Sequence, residues 1–106
     1  MKKIECILRA ERLREVSAAL RLAGIGGMSV TEIKGFGRNT TRPEAYLFLP
    51  KSKIEIYVTE DQVEEVVGVL LRYCRDEHLG SGKIAVLPLE ECIRVRTGER
   101  GPAAIV

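Results

Sequence analysis

Three short stretches of this chain carry residue types suited to holding an anion. Lys34-Gly35-Phe36-Gly37-Arg38 places two glycines around one aromatic, with a cation on each side. Glycine lets a backbone approach a ligand closely and leaves amide N–H groups available to oxygen acceptors. The same pattern also suits a plain bend at the end of a strand. Gly80-Ser81-Gly82-Lys83 combines successive exposed amides with a point charge. It lacks the GxxxxGK[ST] spacing of a Walker loop and precedes a strand rather than a helix, so a simple helix-to-strand turn is the competing reading. Arg94 and Arg96 are spaced by two. On a strand that spacing puts both guanidinium groups on one face, where they repel unless an anion lies between them. A solvated strand edge is the alternative there.

A polyphosphate such as a nucleotide accounts for all three stretches together. The residues for turnover are missing: His78 is the one histidine, and no acidic pair for a catalytic metal or nucleophile–base pair can be read. Binding without catalysis is therefore expected, with no catalytic residues. Slow hydrolysis using Glu55 as base is the enzymatic rival. A metal site built from Cys74, Asp76 and His78 is a third reading, set against a solvated helix end, and no metal ligand is assigned. Cys6, Cys74 and Cys92 form no CxxC pair and sit among apolar neighbours, so they read as buried free thiols.

These residues must be positioned by a small fold. The chain has 106 residues, 45% apolar and 30% charged, which is one domain over 1–106 with enough apolar surface to order itself. The net charge is +2, distributed as +3 over 1–36, +3 over 37–53, −5 over 54–79 and +1 over 80–106. That pattern suits local anion sites and argues against a general nucleic-acid binder. No apolar run reaches the roughly 20 residues that span a bilayer, and Glu5 interrupts the first apolar stretch, so neither membrane insertion nor a secretory leader is expected and the cytoplasm is the expected compartment.

Hydrophobic periodicity predicts two β-α-β units. Residues 3–8 alternate, with Ile4, Cys6 and Leu8 on one face. From Glu11 the period becomes helical through Leu13, Val16, Leu20 and Ala23, until Gly24, Gly26 and Gly27 turn the chain. Residues 28–36 read as a second strand, 37–50 as a long loop, and 51–58 as a third strand. Thr59 and Gln62 form a capping box ahead of a helical stripe of Val63, Val66, Val67, Leu70 and Cys74. A fourth strand follows over 84–87, ended by Pro88, then a short strand around Ile93 and Val95 and a turn-rich loop over 97–106. This order predicts an α+β, ferredoxin-like βαββαβ sandwich with an antiparallel sheet. One sheet face stays open, and Ile7 and Tyr57 on it suggest oligomerisation.

At these residues the sequence resembles the PII signal-transduction family. The matching stretches are MKKIECILRAERLREVSAAL, GIGGMSVTEIKGFGR, LPKSKIEIYV and GSGKIAVLPLEECIRVRTGERG. The resemblance implies a homotrimer with ATP or ADP in clefts between subunits, AMP as a further candidate, and magnesium accompanying ATP. It implies Ser29 and Tyr57 beside the adenine, and Gly35, Gly37 and Arg38 at the root of the flexible T-loop (about 37–50). It further implies Gly80, Ser81, Gly82 and Lys83 around the phosphates, with Arg94 and Arg96 reaching them across the cleft. A nucleotide-sensing regulator of a transporter or metabolic enzyme, acting through the T-loop, is the implied role. Two departures stand out. The loop is shorter than in nitrogen-regulatory members by about seven residues on this alignment, and Tyr46 does not match the context of their uridylylated tyrosine. Asn39 replaces a glutamine that helps hold magnesium and 2-oxoglutarate, while Lys51 matches the lysine that pairs with 2-oxoglutarate. A PII-like regulator in carbon or bicarbonate metabolism is accordingly the alternative to one sensing nitrogen status.

Overall fold

A computed structural model of the chain describes residues 1–35, 49–75 and 82–106. Strand β1 (Lys2–Leu8) runs into a 3-10 turn at Ala10–Arg12 and helix α1 (Leu13–Leu22). Strands β2 (Ser29–Gly35) and β3 (Leu49–Val58) follow, then a second 3-10 turn at Glu60–Gln62 and helix α2 (Val63–Cys74). Strand β4 (Ile84–Pro88) completes the sheet, and a four-residue helix, α3 (Pro102–Ile105), ends the chain. The sheet order is β2-β3-β1-β4 with every neighbouring pair antiparallel. This is the ferredoxin-like arrangement that the periodicity predicts.

Alternation decides which face of the sheet is covered. Ile4, Cys6 and Leu8 of β1 and Ile54, Ile56 and Val58 of β3 are buried against Val16 and Leu20 of α1 and Val66, Leu70 and Cys74 of α2. Within each helix these residues recur every four positions, the spacing of one helix face. Each large aliphatic side chain so buried contributes roughly 1.5–3 kcal/mol. The second helix begins at a working cap: Gln62 Oε1 accepts the Thr59 N–H at 3.0 Å, the reach-back of a capping box.

The open face is charged but internally paired. Glu5 and Glu55 stand directly opposite each other across β1 and β3, a repulsive placement by itself. Lys3 Nζ lies 3.0 Å from Glu5 and 3.9 Å from Glu55, while Lys53 Nζ lies 3.3 Å from Glu55 and 3.7 Å from Glu5. Each carboxylate thus faces both lysines. The hydrogen bond from Lys3 holds the Glu5 carboxyl below its ordinary value and raises Lys3 above its own.

Several boundaries differ from the sequence expectation. Strand β3 begins at Leu49, so pairing extends two residues into the expected loop: Leu49 and Pro50 register with Gly35 and Lys34. Proline is tolerated there because it lies in the first turn of pairing, where a missing N–H costs little. Pro88 does not stop β4 but closes it opposite Lys2, on an edge strand. The expected strand around Ile93 and Val95 is not formed. Instead residues 92–94 fold back on 99–101 as a tight hairpin, with a single bridge between Ile93 and Arg100. Arg94 N–H donates to the Glu99 carbonyl at 2.9 Å and Gly101 N–H to the Cys92 carbonyl at 2.9 Å. Gly98 and Gly101 take φ of +75° and +71°, which lets the chain reverse so tightly. The alternation of Ile93 and Val95 has no covered face within one chain, and Val95 is 99% exposed.

Candidate functional site

The register of the sheet sorts the candidate residues into two groups. Gly35 ends β2, Lys51 lies near the start of β3, and Gly82-Lys83 leads into β4. Antiparallel pairing brings all of these to one end of the sheet, with β2 and β4 at opposite edges, about 14 Å apart across three strand spacings. Ser29 begins β2 opposite Glu55, and Tyr57 stands opposite Lys3, both toward the other end. Both side chains are exposed. The hairpin bearing Arg94 and Arg96 also leaves the sheet at that other end, after Leu89 N–H has bonded the Met1 carbonyl at 3.1 Å. Six residues of extended chain separate Lys83 from Leu89, about 20 Å.

Gly82 and Lys83 thus stand at the start of β4 and the arginine hairpin beyond its end. Among the described residues no hydrogen bond or ion pair joins the hairpin to Gly82 or Lys83. The strand between them separates them along its length.

Gly82 is explained by the sheet itself. Its φ is +92°, and a Cβ at this position would lie 1.5 Å from the Ile7 carbonyl oxygen. Next to it, Ile7 N–H donates to the Lys83 carbonyl at 2.9 Å. Glycine here permits close backbone approach to β1, and that contact fixes where Lys83 emerges. Lys83 is exposed. It lines a cleft of about 440 Å³ between α2 and β4, together with Cys6, Leu70, Cys74 and Arg75. A cation above an apolar wall suits a ligand with a charged end and a flat apolar body.

The two arginines stand in different environments. Arg94 Nη1 bonds Glu99 Oε1 at 2.6 Å, and its Nη2 bonds the carbonyls of Ala103 and Val106. Its fork is thus aimed by the hairpin and by the start and end of α3. Arg96 sits at the hairpin tip and is exposed, and among the described residues it makes no hydrogen bond or ion pair. The shared strand face expected from their spacing is absent, because a turn intervenes at 95–97.

Phe36, Gly37, Arg38, Asn39 and Tyr46 lie outside the described residues, as do Asp76, His78, Gly80 and Ser81. Among the described residues no three or more His, Cys, Asp or Glu side chains gather as a metal site, and no helix is long and apolar enough to cross a membrane. Cys6 and Cys74 are buried as expected, whereas Cys92 is only half-buried, since its strand is a hairpin arm at the surface. Sequence reasoning missed Ile7 and Glu99 as positioning residues. The Arg94–Glu99 spacing becomes informative only once a turn is recognised between them.

Comparison with known proteins agrees with this architecture. The family model described as nitrogen regulatory protein P-II matches residues 1–99. The nitrogen regulatory protein P-II of Cereibacter sphaeroides is 46% identical, covering 99% of this chain and 100% of its own. That of Klebsiella oxytoca is 46% identical with the same coverage. Both alignments run over 112 positions against a chain of 106, so this chain is shorter within the match. Among solved structures, Arabidopsis thaliana PII bound to citrate has a TM-score of 0.84 and 42% identity, over 98% of this chain and 88% of its own. Matched end to end in sequence and superposable in fold, the chain belongs to the nitrogen regulatory protein P-II family.

Proposed function

We propose that this regulatory protein senses adenine nucleotides at clefts shared between copies of the chain, and signals their state to a protein target. The observation that carries the reading is the division of the candidate residues between two ends of one sheet. Gly35, Gly82 and Lys83 present amides and a cation at one end; Ser29, Tyr57, Arg94 and Arg96 gather toward the other. A head-to-tail contact joins one group to the other, and such contacts close into rings. A homotrimer with three equivalent clefts is the ring this family resemblance implies. The exposed Val95 and Ile93 beside the arginines give such a contact its apolar area.

In this reading Lys83 holds phosphate as a point charge and Arg96 approaches from the neighbouring copy. Arg94 exchanges part of its bonding to Glu99 for phosphate oxygens. Gly37, Arg38, Gly80 and Ser81 complete the phosphate cradle, and magnesium would balance the extra charge of ATP. ATP, ADP and AMP would then bias segment 37–50 differently, through their differential affinity for its states. A transporter or metabolic enzyme would read that segment. Lys51 and Asn39 would take the second effector, either 2-oxoglutarate or bicarbonate. The Arabidopsis relative was solved with citrate, a polyanion, which supports anion recognition in this family.

Calorimetry with ATP, ADP and AMP, each with and without 2-oxoglutarate or bicarbonate, tests the ligand. Replacing Arg94 and Arg96 with Ala is expected to weaken nucleotide binding at least tenfold, about 1.4 kcal/mol. Subunit mixing tests the shared cleft. Equal amounts of a Lys83→Ala chain and an Arg94→Ala/Arg96→Ala chain, after exchange, should regain wild-type affinity in about one cleft in four. No recovery on mixing overturns the shared cleft, and no nucleotide binding by the unaltered chain overturns the whole reading.

A further inference from the structure

Arg94 already holds an anion of its own chain. Its Nη1 donates to Glu99 Oε1 at 2.6 Å, and its Nη2 donates to the Ala103 carbonyl at 3.1 Å and to the Val106 carbonyl. Glu99 is fixed in turn by Thr97. The Thr97 hydroxyl donates to the same Glu99 Oε1 at 2.8 Å, and the Glu99 N–H donates to Thr97 Oγ1 at 3.2 Å. The carboxylate is therefore set in place by a turn, rather than carried on a free side chain. A guanidinium fork matches carboxylate and phosphate oxygens alike. The fork that a phosphate would need is filled by a group that imitates it.

We propose, resting on the nucleotide reading above, that Glu99 is an internal competitor for Arg94: it latches the guanidinium beside the C-terminal helix, and a phosphate group must take the guanidinium from it to bind. Glu99 is then a positioning residue that lowers the affinity of the site, not a contact to the ligand. The pair is placed for exchange. The Arg94 and Glu99 side chains are 29% and 45% exposed, so burial locks neither in place. The hairpin itself is closed by backbone bonds that use no atom of either side chain. Arg94 N–H donates to the Glu99 carbonyl at 2.9 Å, Gly98 N–H to the Arg94 carbonyl at 2.7 Å and Gly101 N–H to the Cys92 carbonyl at 2.9 Å. Parting the side chains leaves that scaffold standing.

Two consequences follow from the exchange. An exposed ion pair of this kind costs an incoming anion up to about fivefold in affinity, because the pair must open first. The exchange also reaches α3. When Arg94 turns to phosphate, the Ala103 and Val106 carbonyls lose the donor they share, and the helix loses that tie to the hairpin. Phosphate occupancy is thereby passed to Pro102–Ile105, an element separate from segment 37–50.

The test is calorimetry with ADP on the full chain and on Glu99→Gln. Glutamine keeps an acceptor for Arg94 and Thr97 but carries no charge. Binding is expected to tighten about two- to fivefold. In an Arg94→Ala background the same substitution should lose most of that gain, since nothing is then withheld from the ligand. An unchanged or weaker affinity in Glu99→Gln overturns the proposal. So does a gain of equal size without Arg94, which would report plain repulsion between carboxylate and phosphate. NMR follows the helix. The Ala104 amide, bonded to the Gly101 carbonyl at 2.9 Å, should shift on saturation with ADP and also in the free Arg94→Ala chain. A resonance indifferent to both refutes the latch on α3. If the unaltered chain fails to bind ADP, the nucleotide reading falls and takes this inference with it. If it binds ADP and Glu99→Gln binds no better, the latch alone falls.

Discussion

Replacing Gly82 with Ala separates a backbone requirement from a mere turn preference. Two costs are legible at this position. A φ of +92° is a conformation that L side chains rarely adopt, at roughly 1–2 kcal/mol. The added methyl would lie 1.5 Å from the Ile7 carbonyl oxygen and 2.5 Å from its carbon. No contact of that length survives, and both Ile7 atoms are backbone, so β4 must move away from β1. The Ile7 N–H to Lys83 bond, 2.9 Å long, goes with it, at about 1 kcal/mol. The sum is roughly 2–4 kcal/mol, which for a domain of this size lowers the melting temperature by about 10–20 °C. Urea unfolding followed by circular dichroism, at one fixed protein concentration, measures the total, because association would otherwise shift the midpoint. Hydrogen exchange at the Ile7 amide localises it. Gly68→Ala is the control: this helical glycine has open space around it, so alanine should stabilise by up to about 1 kcal/mol. A Gly82→Ala chain within about 0.5 kcal/mol of the parent, with Ile7 still protected, would refute the argument from close approach.

Two further outcomes follow from the electrostatics and the caps. Glu5 and Glu60 are held below their ordinary value of 4.5, by the Lys3 hydrogen bond and by the amino-terminal ammonium 2.9 Å away respectively. Their contribution is therefore present above that value and lost as pH falls through the lower folded values, so urea midpoints should drop in acid, and Glu5→Gln should flatten that dependence. Thr59→Ala should cost about 1 kcal/mol in urea unfolding by removing the side-chain half of the capping box, and Gln62→Ala a similar amount by removing the acceptor of the Thr59 N–H.

The local elements were legible because they rest on local physics. Ile4, Cys6 and Leu8 alternate and are buried; Val66, Leu70 and Cys74 recur at helical spacing and are buried. The capping box at Thr59 reads directly from two residue types three apart. Residues 93–95 misled for the same reason: alternation marks a strand only where a neighbouring strand and a covering layer exist, and here the chain turns back on itself. β3 starts two residues before the alternation from Lys51 predicts, because Leu49 and Pro50 are held in the sheet by pairing with Gly35 and Lys34, which leaves no local signal.

Residue type by itself determined that anion-suited groups occur at 34–38, 80–83 and 94–96, and that two β-α units carry them. Tertiary structure decided how they are shared out. Antiparallel pairing sends Gly35 and Lys83 to one end of the sheet and the Arg94 hairpin off the other, and it sets Gly82 against Ile7. Periodicity reports which face of an element is apolar; it carries no record of which distant element lies across from it, and these placements depend on that long-range pairing.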